Sequence, residues 1–245
     1  MTGDDTLDSA TDEDTSDTGP ADGVAATQEF YTRWASLYDA LATRTPGIGS
    51  LRARAADRLA PDRGDTVVEM GCGTGANLPH LRERVGPTGT VVGVDFTPGM
   101  VATASRRVDR EGWANVHVVR GDATRPPLAV GDADALLSSF VVGMLAAPNE
   151  AVADWGDLVG PGGRVALLDL ARSTRTAGAP LNAVFRAFVL ASSPPGTRER
   201  HGGSPGGVLD RRVAAAHRTL FDRCSDVEHS THALGFVRLS SGTVE

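Results

Sequence analysis

The sequence of 245 residues contains no lysine, a single isoleucine and only two cysteines. Arginine supplies all 24 basic residues, and this bias in composition says little about chemistry. Cys72 and Cys224 are two isolated thiols, which fits a reducing, cytoplasmic setting without a disulfide framework. The sequence also lacks any apolar run of about 18 residues, so we expect no membrane-spanning helix.

The acidic residues are concentrated at the start of the chain. Eight carboxylates and no basic residue lie between Asp4 and Asp22, and removing these eight charges turns the formal net charge of −7 into +1. Segment 1–26 has too little apolar surface to bury and is predicted to be disordered. It also lacks the apolar core of a signal peptide. The remaining residues, 27–245, are expected to form a single domain.

An aromatic segment follows the acidic tail. Four apolar residues recur in it at helical spacing: Phe30, Trp34, Leu37 and Leu41. The predicted helix either packs on the domain or covers a pocket as a lid, with Tyr38 among the side chains that face inward. Together with a second predicted helix over 50–59, it forms an N-terminal lid region at 27–60.

Strand and helix patterns alternate through the middle of the chain. Apolar runs predict strands over 66–70, 89–95, 116–120, 133–138 and 163–170. Helical patterns cover 76–85, 98–110 and 149–159. Such alternation implies a parallel sheet with helices on both faces.

The alternation weakens after Asp169. An apolar helix is predicted over 179–191 and another helix over 208–224, joined by a connector rich in proline and glycine. Two short strands, 227–231 and 236–240, predict a terminal hairpin around Gly235. We treat 171–210 as an insert in the domain.

The most informative stretch is 67–75, where an apolar strand ends in a glycine-rich turn. Gly71, Gly73 and Gly75 alternate with the small residues Cys72 and Thr74. A turn without large side chains lets a ligand approach the backbone, so we expect a small-molecule cofactor here. By itself the turn fits the dinucleotide pattern G-x-G-x-x-G/A, a weak signal.

Acidic residues near this turn bear on which cofactor binds. Asp95 follows Gly75 by 20 residues, the spacing of an acid that holds ribose hydroxyls, although it could instead cap the next helix. Glu69 precedes the glycines, where it would repel a pyrophosphate and attract a cationic amino-acid ligand. It could also be an ordinary polar strand end. Asp122, within Gly121-Asp122-Ala123, could hold an adenine edge.

These segments, in this order, resemble the class I S-adenosylmethionine-dependent methyltransferases from about residue 30 to the C-terminus. The matching segments are 69–75, Val94-Asp95, Gly121-Asp122-Ala123 and 158–164. The resemblance implies a three-layer, Rossmann-like α/β fold. Its seven-stranded, mostly parallel sheet would have the order 3-2-1-4-5-7-6, with strand 7 antiparallel.

The resemblance also implies a set of S-adenosyl-L-methionine contacts. The glycine loop would hold the methionine part, Asp95 the ribose and Asp122 the adenine amino group. Phe96 and Met100 would flank the adenine, and Ser138, Ser139 and Phe140 would line the methyl-bearing end. The complete expected cofactor site is Tyr38, Glu69, Gly71, Cys72, Gly73, Thr74, Gly75, Asp95, Phe96, Met100, Gly121, Asp122, Ala123 and Ser138.

The methyl acceptor is less defined by the sequence. Segment 31–39 resembles two groups, one with quinone-biosynthesis C-methyltransferases and one with phospholipid N-methyltransferases, and segment 73–79 is similar to the phospholipid group. The insert is apolar and rich in arginine. These features favour a small apolar or lipid-like acceptor. Segment 140–145 departs from the glycine-leucine-arginine-asparagine run usual in the quinone group. A nucleic-acid substrate is not expected, since no basic stripe is interleaved with aromatic residues.

The catalytic groups are left open by the sequence. Candidate bases, by position alone, are Tyr31, Tyr38, Asp39, Asp169 and His201. A metal site at Cys224, His229 and His232 is not expected, since the two histidines would point to opposite faces of one strand. Two alternatives remain: a nicotinamide-dependent oxidoreductase, against which Glu69 argues, and a catalytically silent S-adenosylmethionine-binding protein.

Overall fold

The computed structural model describes residues 47–191 and 205–245. The predicted acidic tail, the aromatic segment with Tyr38, and residues 192–204 of the connector lie outside these ranges. Within them, the helices are α1 (Ile48–Leu59), α2 (Leu78–Val85), α3 (Pro98–Glu111), α4 (Pro148–Val159), α5 (Asn182–Ala191) and α6 (Pro205–Arg223). The strands are β1 (Thr66–Met70), β2 (Thr90–Asp95), β3 (Val116–Arg120), β4 (Ala135–Ser139), β5 (Arg164–Leu170), β6 (Cys224–His232) and β7 (Val237–Val244).

The seven strands form one sheet in the order β3-β2-β1-β4-β5-β7-β6, which confirms the predicted topology. Strands β1 to β5 pair in parallel, whereas β7 runs antiparallel to both β5 and β6. The terminal hairpin is longer than predicted in both strands. Most residues of β6 are polar because it lies at the sheet edge, so its sequence shows no apolar run that would mark its length.

Two apolar layers cover the sheet, one on each face. Val68, Met70 and Leu136 pack with α4 and α6 around the fully buried Trp155. Val67, Leu137 and Leu168 pack on the opposite face with α1 and α2. Successive side chains of a strand point to opposite faces, so Glu69 shares the α1 face with Val67.

The topology brings the glycine turn and the acidic loops together at the carboxyl ends of the parallel strands. Strands β1, β2, β3 and β4 are parallel neighbours, so the loops that follow their carboxyl ends lie side by side. Ligands of open α/β sheets bind at this edge. Among the described helices, none is long and apolar enough to cross a membrane.

Candidate functional site

The glycine turn after β1 is held by backbone hydrogen bonds, and its glycines serve different purposes. Cys72 N donates to Val94 O at 2.9 Å, and Gly75 N donates to Cys72 O at 2.9 Å. Gly71 has a φ of 67°, and a Cβ there would lie 2.2 Å from Cγ2 of Val141. Gly73 has a φ of 56°, but no heavy atom of the described residues lies within 4 Å of the corresponding Cβ position. Gly71 is therefore required by packing, whereas Gly73 leaves open space beside the backbone.

Cys72 is a buried packing residue within this turn. Its Sγ lies next to Gly93 of β2, where an added Cβ would approach it to 2.9 Å. Burial, together with the negative charges of Glu69 and Asp95, raises the pKa of the thiol well above its usual value. A neutral thiol is a poor nucleophile, so the structure gives Cys72 no covalent chemistry.

Asp95, at the end of β2, organises the loops around the glycine turn. Its Oδ2 accepts a hydrogen bond from Gly73 N at 2.9 Å, and its Oδ1 accepts one from Thr97 N at 2.8 Å. Gly121 N donates to the backbone oxygen of Asp95 at 3.0 Å. The carboxylate thus lies beside the open Gly73 and also supports the start of α3, so the two roles considered for it are compatible.

Glu69 forms the buried centre of the site. It is 1% exposed, and its Oε1 accepts a hydrogen bond from Nδ2 of Asn77 at 2.5 Å. Its Oε2 is buried and has no hydrogen-bond partner among the described residues. Burial raises the pKa of this carboxyl to about 8, although the Asn77 hydrogen bond and the charge of Arg52 lower it. A buried oxygen without a donor is costly, and a ligand that supplies a donor would remove the cost.

Asn77 and Arg52 belong to the site, although the sequence did not mark them. Nδ2 of Asn77 also donates to Oγ of Ser139 at 3.0 Å, and its Oδ1 accepts from Nη1 of Arg52 at 3.0 Å. Asn77 could have been noticed as a polar residue directly after the glycine turn. Arg52 could not, because α1 also carries Arg54 and Arg58 and the sequence does not show which arginine is buried.

Phe140 is the residue immediately after β4 and has an unusual backbone. Its φ of 62° lies in the left-handed region, which a bulky residue rarely adopts. Phe140 N donates to Leu168 O at 2.7 Å, and the guanidinium carbon of Arg52 lies 5.3 Å from the centre of its ring. These contacts hold the ring next to the Asn77 network, at the junction of β4 with its loop.

The predicted adenine residues occupy neighbouring loops. Phe96 is 40% exposed, whereas Met100, one turn into α3, is buried. Oδ1 of Asp122 accepts hydrogen bonds from N and Oγ1 of Thr124, both at 2.8 Å. Ala123 O accepts a hydrogen bond from Nε1 of Trp155 at 2.7 Å. The loop after β3 is therefore anchored to Trp155 of α4, and the Asp122 carboxylate lies at the surface.

The two serines of β4 occupy different environments. Oγ of Ser139 contacts Asn77, on the same face of the sheet as Glu69. Ser138 is fully buried, its Oγ has no hydrogen-bond partner among the described residues, and alternation puts it on the opposite face. Of this pair, Ser139 is the one that the fold connects to the glycine turn.

Only one candidate base lies within the described residues. Asp169, at the end of β5, is 1% exposed and has its Oδ2 at 3.3 Å from Nε2 of His217. The others, Tyr31, Tyr38, Asp39 and His201, fall outside the described ranges. In the outer strand β6, the side chain of His229 contacts Ser240, whereas that of His232 contacts Ser230.

The residues at the carboxyl ends of β1, β2 and β4 fit S-adenosylmethionine. The partnerless Oε2 of Glu69 suits an amino-acid ammonium group, and the space beside Gly73 leaves the backbone accessible. A nicotinamide dinucleotide would instead bring its pyrophosphate to the glycine turn, where an ionised Glu69 would repel it and no ligand ammonium would pair with the carboxylate.

Comparison with known proteins agrees with this fit. The profile of the family described as "Methyltransferase domain" matches residues 67–163. The "2-phytyl-1,4-naphtoquinone methyltransferase" of Thermosynechococcus vestitus is 30% identical over 152 residues, which are 61% of this chain and 67% of that protein. "Aklanonic acid methyltransferase DauC" of Streptomyces sp. (strain C5) is 28% identical over 225 residues, 88% of this chain and 93% of that protein.

A solved structure supports the fold. The SAM dependent methyltransferase from Aquifex aeolicus superposes with a TM-score of 0.59 at 18% identity, covering 82% of this chain and 94% of that one. The chain belongs to the class I S-adenosylmethionine-dependent methyltransferases, and S-adenosyl-L-methionine is its cofactor. The oxidoreductase alternative is set aside.

Proposed function

We propose that this enzyme methylates a small apolar or lipid-like acceptor, and that Glu69 binds the amino group of S-adenosylmethionine. The observation that carries the proposal is the buried Glu69 carboxyl, beside the backbone at Gly73: one of its oxygens receives no hydrogen bond from the described part of the chain. A carboxylate in such a place gains a strong, charge-assisted hydrogen bond from an ammonium group.

The other cofactor roles follow from where each residue lies. Asp95 would accept hydrogen bonds from the ribose hydroxyls with the lone pairs left over from Gly73 and Thr97. The exposed Phe96 ring offers an apolar surface for the adenine, and the exposed carboxylate of Asp122 offers an acceptor for its amino group. The proposed cofactor site also includes the other residues expected from the sequence, Tyr38 among them.

The chemistry of the step asks little of the protein beyond position. S-adenosylmethionine, when bound, supplies a methyl group that its sulfonium already activates. The chain's own residues must hold the acceptor in line and exclude water. Phe140, fixed between β4 and Arg52, lies at the carboxyl edge of the sheet and would form one wall of the acceptor pocket.

An apolar acceptor is supported by the insert after β5. Leu181, Val184 and Phe188 expose apolar side chains, and the ring of Phe185 lies 5.2 Å from that of Phe236. The two named relatives are methyltransferases of aklanonic acid and of a phytyl naphthoquinone. The positive charge of the insert is partly compensated, since Arg172 pairs with Asp210 at 3.4 Å. Buried free thiols at Cys72 and Cys224 favour a cytoplasmic location.

Calorimetry and a transfer assay test the proposal. Titration with S-adenosylmethionine, S-adenosylhomocysteine and NADH should give binding for the first two only. Incubation with methyl-labelled cofactor and a cell lipid extract should then label an organic-soluble product. Label confined to water-soluble products would contradict the acceptor class. Cofactor binding without transfer to any fraction would favour the silent binding protein.

A further inference from the structure

Glu69 is connected through two buried side chains to the helix that precedes the first strand. Nδ2 of Asn77 donates to Glu69 at 2.5 Å, and Nη1 of Arg52 donates to Oδ1 of Asn77 at 3.0 Å. We propose that cofactor binding expels a proton from Glu69, and that Arg52 is the positioning residue that, through Asn77, favours its departure. This inference rests on the proposed function, since it takes the amino-acid end of the cofactor as the ligand of Glu69.

Within residues 47–191 and 205–245, the charges around Glu69 come from three elements. Arg52 of α1 and Arg107 of α3 favour the charged carboxylate, whereas Asp95 at the end of β2 opposes it. The neighbouring Cys72 thiol stays neutral. Burial outweighs the two arginines and raises the pKa of Glu69 to about 8. This raised pKa favours the protonated form of Glu69 in the cofactor-free protein near neutral pH.

An ammonium group reverses this balance. A protonated carboxyl offers it no opposite charge, whereas an ionised one offers the partnerless Oε2 as a charged acceptor. An opposite charge within hydrogen-bond distance lowers the pKa of a carboxyl. The proton consequently passes from Glu69 to solvent as the ligand's ammonium binds, and no covalent bond to carbon or sulfur changes in this step.

Arg52 fixes which end of the Asn77 amide faces Glu69. An amide has one accepting oxygen and one donating nitrogen, so Oδ1 on Arg52 obliges Nδ2 to point toward Glu69 and Ser139. The NH₂ group stabilises an ionised carboxylate. Without Arg52 the amide could turn over and present its oxygen, which would stabilise the protonated acid instead.

Two ligands that differ only in the amino-acid part test the inference. S-adenosylhomocysteine carries the ammonium group, whereas 5′-methylthioadenosine lacks the whole amino-acid end. Calorimetry in two buffers of different ionisation enthalpy measures the protons released. The affinity of the protein for S-adenosylhomocysteine should rise with pH by up to about tenfold per unit until the pKa of Glu69 is reached. Binding of this ligand near neutral pH should release protons. Methylthioadenosine should show neither effect.

Variants separate positioning from folding. Arg52→Gln should weaken S-adenosylhomocysteine binding at neutral pH by about tenfold, equivalent to one unit of pKa, and part of the loss should recover at higher pH. Its affinity for methylthioadenosine should not change. Arg54→Gln, on the exposed side of the same helix, is the matched control and should alter neither ligand. Glu69→Gln should abolish the proton release and the pH dependence.

Three results have distinct meanings. Binding of S-adenosylhomocysteine by the native protein without proton release and independent of pH would overturn the proton linkage. Equal weakening of both ligands by Arg52→Gln would show that Arg52 supports only the fold and would overturn its positioning role. Failure of the native protein to bind S-adenosylmethionine or S-adenosylhomocysteine at any pH would overturn the proposed function itself, and the inference with it.

Discussion

Asp169 and His217 face each other in the interior, with 3.3 Å between Oδ2 and Nε2. Nδ1 of His217 lies 2.7 Å from Oγ of Ser240, which also lies 2.8 Å from Nδ1 of His229. The four side chains come from β5, α6, β7 and β6 in turn. Burial raises the pKa of Asp169, while its hydrogen bond with His217 lowers it. The chain of contacts ties the terminal hairpin and α6 to the parallel part of the sheet.

Removing the central hydroxyl of this chain should destabilise the fold. Ser240→Ala leaves one nitrogen on each of two histidines without its partner, so the free energy of unfolding should fall by about 1–3 kcal/mol. Urea denaturation measures the change. Ser230→Ala on β6, which breaks a single contact with His232, should cost less. Equal losses in the two variants would contradict a special role for the Ser240 chain.

The stability of the cofactor-free protein should depend on pH through Glu69. Its pKa is about 8 in the folded state, above the ordinary value of 4.5, so between these values the folded state binds a proton that the unfolded state has lost. Stability must therefore fall as pH rises, by up to about 1.4 kcal/mol per unit within this window. Denaturation curves from acid to neutral pH should show a shallower fall for Glu69→Gln.

A saturating ligand provides a second check on Glu69. S-adenosylhomocysteine lowers the pKa of the carboxyl by pairing with it, so the ligand should stabilise the protein more at the upper end of this pH range. Identical slopes for the native protein and Glu69→Gln, with and without ligand, would contradict a protonated Glu69.

Two glycines of the turn should respond differently to substitution. Gly71→Ala forces a Cβ against Val141 and should lower the stability by about 1–3 kcal/mol. In Gly73→Ala the new Cβ meets no atom of the residues that the structure describes, but it intrudes on the space proposed for the cofactor. It should reduce S-adenosylhomocysteine affinity at least about tenfold, or about 1.4 kcal/mol.

Substitution of a third glycine, Gly112, measures the cost of backbone strain separately from any effect on the cofactor. Gly112, after α3, has a φ of 64°, and like Gly73 it has no described residue within 4 Å of its Cβ position. Gly112→Ala should therefore lose about the same stability as Gly73→Ala, of the order of 1 kcal/mol, and should bind the ligand normally. Normal binding by Gly73→Ala would show that the cofactor does not approach this backbone.

Asp95 should be essential for cofactor affinity. Asp95→Ala removes the expected ribose acceptor and also releases Gly73 N, so S-adenosylmethionine binding should weaken by about 100-fold or more, which corresponds to about 3 kcal/mol. Asp134→Ala is a suitable control, since the Asp134 carboxylate also accepts a backbone hydrogen bond, from Thr66 N. This contact lies at the amino end of β1, away from the cofactor site. Similar affinities for the two variants would contradict the ribose role.

The glycine turn and the strand order could be predicted before the fold was known. Gly71, Gly73 and Gly75 follow one another in a few residues, and Asp95 ends the next apolar run, so local sequence is enough to indicate a strand, a bare turn and an acid. Their resemblance to one enzyme superfamily then supplied the sheet order, which the structure confirms.

The connections between distant side chains could not be predicted in this way. Arg52 and Asn77 are 25 residues apart, and Asn77 and Ser139 are 62 apart, yet each pair forms a hydrogen bond. Asp169 and His217 are separated by 48 residues. No periodicity or local motif encodes such contacts, because they depend on which strands become neighbours and which face each residue occupies.

The sequence by itself thus determined the cofactor turn, the alternation of strands and helices, and the class of reaction. Only the tertiary structure decided that Arg52 rather than Arg54 reaches the site and that Ser139 rather than Ser138 contacts Asn77. It also decided that Glu69 is buried, with one oxygen that has no partner in the portion of the chain described by the structure. The physical reason is that burial and hydrogen-bond partners of polar groups arise when α1, β1 and β4 pack together, and packing is a property of the whole chain.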